Sequence, residues 1–176
     1  FSRTDEGLRL ETTDKEGHTL LYQLSVNVDE KALEGIEKLA SLSADKFASL
    51  KNPEQYGVLN ILTSERLEDK HKKRVIEKFV RKNLHLDATD NEGHTLLYRI
   101  ATSNVQNEKK LAQCKLLLSI DGYQPQKTAA EYGIEQILKN KGIDQALRQE
   151  LYQKCIKTGI TISEEARNSL GIVDML

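Results

Sequence analysis

The chain has no tryptophan, only two prolines and three phenylalanines, and a single methionine among its 176 residues. Charged residues make up 30% and hydrophobic residues 38%. So few helix breakers and large aromatics predict a helix-rich soluble chain whose helices each carry one apolar stripe. It lacks charge of either sign in excess: the formal net charge is −1, too small to draw in nucleic acid or an anionic membrane. It also lacks any apolar run of the roughly 18 to 20 residues that a membrane span needs. The two cysteines, Cys114 and Cys155, fall within apolar helical patterns and read as buried, reduced thiols. They suit a reducing compartment, so the expected location is cytoplasmic. The chain opens at Phe1 without an initiator methionine, and its one methionine is Met175. It therefore reads as one domain, residues 1–176, taken from a longer protein.

What the chain does have is a phrase written twice. Residues 13–22 read Thr-Asp-Lys-Glu-Gly-His-Thr-Leu-Leu-Tyr, and residues 89–98 repeat it with Asn91 in place of Lys15 as the one change. The interval is 76, and half of it, 38, recurs throughout. Thr19, Gly57, Thr95, Gly133 and Gly171 stand 38 apart, and threonine and glycine are both acceptable helix N-caps. The next residues are Leu20, Val58, Leu96, Ile134 and Ile172. Five after each cap stand Leu24, Leu62, Ile100, Leu138 and Leu176, so one aliphatic face returns in every unit. A second register, Gly7, Asp45, Asn83, Asp121 with Gly122, and Gly159, marks helix stops, because these residues best tolerate the left-handed conformation. Leu42, Val80, Leu118 and Ile156 precede those stops as the seam of a second helix. Each unit thus holds a pair of antiparallel helices and a loop. The units run approximately 7–44, 45–82, 83–120 and 121–158, with a partial one over 159–176. They alternate in type, since Gly57 and Gly133 follow Tyr56 and Tyr132 instead of carrying the repeated phrase. Fixed-period helix pairs predict an all-α solenoid, in which a unit buries its apolar face only against its neighbours.

The loops Asp14-Lys15-Glu16-Gly17-His18-Thr19-Leu20 and Asp90-Asn91-Glu92-Gly93-His94-Thr95-Leu96 resemble those of the ankyrin repeat family. The stop-to-cap interval, Gly7 to Thr19 and Asn83 to Thr95, is similar too. Three features depart from that family. Its repeat is about 33 residues, against 38 here, so the extra length is expected in the helical hairpin, around Asn27–Glu30 and Asn104–Glu108. Tyr22 and Tyr98 stand where the family usually has His, and Leu20 and Leu96 where it usually has Pro. The long, proline-poor units also look similar to those of secreted effectors of intracellular bacteria, which implies a host cytosol as the working compartment.

No catalytic constellation, metal site or cofactor is expected. His18, His71, His85 and His94 fall in separate units, and His18 and His94 are equivalent positions two units apart, too far for one ion. Asp14 and Asp90 suit hydrogen bonds to their own loop backbones. The basic run Lys70-His71-Lys72-Lys73-Arg74 is expected to be a solvated helix face rather than a nucleic-acid patch, since no aromatic platform accompanies it. Tyr123, beside Gly122 and Pro125, is expected to be exposed; Tyr22 and Tyr98 suit packing between units. These readings point to a protein-binding module that engages one protein partner, without nucleic acid or a membrane span. The expected contacts are Lys15, Glu16, His18, Asn91, Glu92 and His94 on the loops, with Gln23 and Arg99 on the first helices. The other reading is a targeting or scaffold segment of a larger enzyme whose catalytic domain lies elsewhere.

Overall fold

The computed structural model describes residues 12–42 and 52–172, and among them it contains α-helices and no strands. Gly7, Asp45, Met175 and Leu176, and the side chain of Leu42, lie outside the described residues.

Four short helices begin 38 residues apart: α1 (Leu20–Ser25), α3 (Val58–Thr63), α5 (Leu96–Thr102) and α7 (Ile134–Lys139). Helices this short do not persist alone in water. Each is held by a cap and by burial. Thr19 and Thr95 accept the amides of Tyr22 and Tyr98 at 3.2 Å, while Gly57 and Gly133 start α3 and α7 from left-handed backbone. Leu21, Val58, Ile61, Leu97, Ile100, Ile134 and Leu138 are buried. Each short helix is followed by a longer one: α2 (Glu30–Leu42), α4 (Asp69–Arg81), α6 (Asn107–Leu118) and α8 (Gln145–Lys157).

The long helices stack in order, α2 on α4, α4 on α6 and α6 on α8, and every short helix packs on its own long one. Position in this stack sets the apolar pattern. In α2 the buried set is Leu33, Ile36 and Ala40, one stripe. In α6, flanked by α4 and α8 and touched by α3, Leu111, Cys114, Leu116, Leu117 and Leu118 are all buried. Cys114 and Cys155 are free thiols within this core, where burial pushes both pKa values up. Arg148 is 6% exposed, and its guanidinium donates to the Leu138 carbonyl at 2.8 Å and the Ile143 carbonyl at 3.1 Å, satisfying acceptors at the end of α7.

Two local expectations are corrected. Leu20 is 46% exposed, because α1 begins the described stack and no described element covers its outer side. Ile156 is 48% exposed: within α8 the buried positions are Arg148, Leu151 and Cys155, and Ile156 follows them off that face. The partial last unit forms α9 (Glu164–Ser169), which packs on α7. Ser163 caps it by accepting the Ala166 amide at 3.2 Å, and Glu164 and Glu165 occupy its first turn.

The two threonine caps differ in one side-chain bond. Thr19 Oγ1 also donates to the Gln55 carbonyl at 2.7 Å, tying the first unit to the second. Thr95→Ala is expected to lower unfolding free energy by about 1 kcal/mol, the ordinary cost of a lost cap, and Thr19→Ala by about 2 kcal/mol. Urea denaturation of both variants checks this, and equal losses would show that the Gln55 bond adds nothing.

Candidate functional site

The two repeated loops fold alike, atom for atom. Asp14 Oδ1 accepts the Glu16 and His18 amides at 2.9 Å each, and its own amide donates to the His18 carbonyl at 2.9 Å. Asp90 does the same with Glu92 and His94, also at 2.9 Å. The second oxygen of each aspartate takes the side chain nine residues on, Gln23 at 2.5 Å in one loop and Arg99 Nε at 2.8 Å in the other. His18 stacks on Tyr22 with ring centroids 3.9 Å apart and planes 6° from parallel; for His94 and Tyr98 the values are 4.3 Å and 10°. The loop amides hold Asp14 below its usual pKa. At Asp90 partial burial works upward, and the His94 amide and Arg99 outweigh it, so its pKa is also lowered.

Almost every repeated letter therefore has an internal task. Glutamate is the exception: its amide is used, yet the Glu16 side chain is 79% exposed and Glu92 is 65% exposed. Glu92 Oε2 meets Arg99 at 2.7 Å and lies 3.3 Å from His94 Nδ1; Glu16 Oε2 lies 3.5 Å from His18 Nδ1. In each loop a carboxylate oxygen of Asp, one of Glu and a ring nitrogen of His fall within 4.8 Å of one another. Both oxygens of each aspartate are already engaged by loop amides and by Gln23 or Arg99, so the arrangement is accounted for by the loop itself.

Between the loops lies one open depression of about 380 Å³. Glu16 and His18 stand on one side, Asn91, Glu92 and Arg99 on the other, and Asn52, Glu54 and Gln55 of the intervening unit lie between. Five of the expected contact residues thus share one hollow, while Lys15, Gln23 and His94 do not line it. Lys15 is exposed on its loop, and Gln23 and Arg99 direct polar groups back onto the loop aspartates. The intervening segment is a short 3-10 turn, Pro53–Tyr56, fixed by a capping box in which Asn52 and Gln55 exchange side-chain and backbone bonds. Gln55 Nε2 also donates to the Gly17 carbonyl at 3.4 Å. Sequence reasoning passed over this segment because the alternate units were recognised by register alone; the signal present was Asn-Pro-x-Gln, a helix-start pattern.

Burial raises the pKa of Glu54, Arg99 opposes that, and Asp90 and Glu92 reinforce it. Among the described residues no donor bonds its carboxylate and no cation lies within 4 Å of it.

Elsewhere the structure assigns two other features to the scaffold. Tyr123 is 8% exposed, contrary to expectation: its hydroxyl donates to Asp87 Oδ1 at 3.1 Å, and Tyr132 donates to the same carboxylate at 2.7 Å. The loop after α6 is thereby drawn inward onto the preceding unit. In the basic run, Lys70 pairs with Glu68 at 2.7 Å, His71 with Glu30 at 2.7 Å, Lys73 with Glu77 at 3.5 Å and Arg74 with Glu37 at 3.0 Å. Lys72 is only 8% exposed and so is not on a solvated face; its stem lies near Leu67 and Leu116, and its Nζ reaches Asp69 at 3.2 Å. Lys78 joins Arg74 on Glu37 and lowers that carboxylate's pKa. The run is thus matched by carboxylates, three on its own segment and two on α2 before it.

Among the described residues no helix is long and apolar enough to cross a membrane. No protein-family model, curated protein or solved structure matches this chain.

Proposed function

We propose that this chain is a non-enzymatic protein-interaction module, an ankyrin-like solenoid of antiparallel helix pairs that binds a partner protein through its loop tips and the adjoining concave wall. One observation carries the reading. Two loops spelled alike and 76 residues apart frame a single open hollow. Each presents a largely exposed glutamate at its tip. A surface of this kind, rigid beneath and polar at its rim, is what a repeat protein offers a partner. The buried thiols suit work in a reducing cytosol, that of a host cell if the chain belongs to a bacterial effector.

The test is affinity capture from cytosolic lysate with quantitative mass spectrometry, beside a variant carrying Glu16→Lys and Glu92→Lys. The side chains changed are exposed, so the variant is expected to keep its helical circular dichroism and its melting temperature. A protein retained by the parent and lost by the folded variant is the expected result. Binding partners that persist unchanged on the variant would sink the loop-tip assignment.

A further inference from the structure

Arg99 stands at the edge of two hollows. On one side is the depression holding Glu54. On the other, a larger groove of about 580 Å³ opens between α3 and α5, where α3 leans across onto α6. Its apolar wall is Leu59 and Ile100, with Val105 41% exposed at the rim, and the carboxamides of Asn60, Gln106 and Gln113 line it.

The charges of the two hollows differ. In the groove, Glu65 is paired with Lys109, which leaves amides and aliphatic groups to meet a ligand. Around the depression stand Glu16, Glu54, Asp90 and Glu92 against one guanidinium, and that guanidinium is spent on Asp90 and Glu92. Glu54 is left half-buried, losing hydration with no cation in direct contact among the described residues. An anionic ligand would meet four carboxylates, whereas a cationic side chain would complete Glu54, which is more buried than Glu16, whose partner is His18. Carboxamides carry a donor and an acceptor, the complement of an extended peptide backbone.

Building on the interaction-module reading, we infer that the two hollows together seat an extended basic segment of the partner, with a lysine or arginine paired to Glu54 and a nearby aliphatic side chain packed on Leu59 and Val105. The basic residue supplies orientation and selectivity; the aliphatic residue supplies buried apolar area.

The experiment selects random linear peptides displayed on phage against the immobilised chain, then titrates recovered peptides by fluorescence anisotropy. The expected consensus pairs a lysine or arginine with an aliphatic residue at fixed spacing. Glu54→Gln, nearly isosteric, should weaken binding about tenfold or more, as loss of a charge-assisted bond does. Replacing the peptide's basic residue by norleucine should do the same, and the two changes together should cost little more than either alone. Val105→Asp should also weaken binding. Absence of any enriched peptide, a consensus without a basic residue, or an affinity indifferent to Glu54→Gln would overturn the inference. If in that event Glu16→Lys with Glu92→Lys still abolishes capture of a folded partner, the module reading stands and only the segment is wrong. If those changes leave capture intact, both fall.

Discussion

Gly57→Ala is expected to destabilise the chain by about 3 kcal/mol, and Gly93→Ala by only about 1 kcal/mol. Both glycines hold left-handed backbone, with φ of +77° and +80°, so both alanines incur the same conformational cost, on the order of 1 kcal/mol. Their surroundings differ. A Cβ at Gly93 meets nothing within 4 Å, whereas at Gly57 it would lie 2.1 Å from Ser25 Oγ, 2.5 Å from Ser25 Cβ and 3.1 Å from Tyr22 Cα. Ser25 cannot step aside easily. It is fully buried, its hydroxyl donates to the Tyr22 carbonyl at 2.6 Å, and it accepts from Asn60 Nδ2 at 2.9 Å. The substitution must therefore separate α1 from α3 or break that chain of bonds, an overpacking cost of about 2 kcal/mol. Urea midpoints for the two variants decide the matter. Equal losses would mean that Ser25 relaxes freely and that the α1–α3 contact is not tight.

Asp87→Ala is expected to cost about 3 kcal/mol. The carboxylate accepts from two buried phenols, Tyr123 and Tyr132, and from the Gln126 amide at 3.1 Å, all on the following unit. Burial, with Asp87 close by, raises the pKa of both phenols, so each keeps the proton it donates. Alanine leaves two hydroxyl protons without an acceptor inside the protein, and such orphaned groups cost more than a simple lost bond. Tyr123→Phe removes one donor together with its need for a partner and should cost about 1 kcal/mol. In a double-mutant cycle, adding Tyr123→Phe to Asp87→Ala should cost less than the single effects summed. Additivity would show that the phenol and the carboxylate act independently, contrary to the 3.1 Å contact.

The loop phrase was legible because each of its interactions spans few residues. Asp14 bonds amides two and four positions on, and Thr19 bonds one three positions on. Residue type and spacing are sufficient to predict such contacts. Helix α9 is equally local, since Ser163 caps it and Glu164 and Glu165 fill its first turn. Glu54 could not be found in this way. Its significance comes from what stands opposite it, loops from the units before and after, and no spacing within its own segment records that.

By itself the sequence determined the all-helical class, the 38-residue register at which α1, α3, α5 and α7 begin, and the internal bonding of the two repeated loops. These follow from caps, turns and apolar periodicity, forces that act within a few residues. Only the tertiary structure decided that Tyr123 turns inward to Asp87, that His71 and Arg74 find carboxylates on α2, and that Glu54 has no cation within 4 Å among the described residues. Tyr123 and Asp87 are 36 residues apart, Arg74 and Glu37 are 37 apart, and Tyr132 and Asp87 are 45 apart. At such separations one unit meets the next, and the stacking of helices, which brings whole surfaces together, chooses which charge finds a partner.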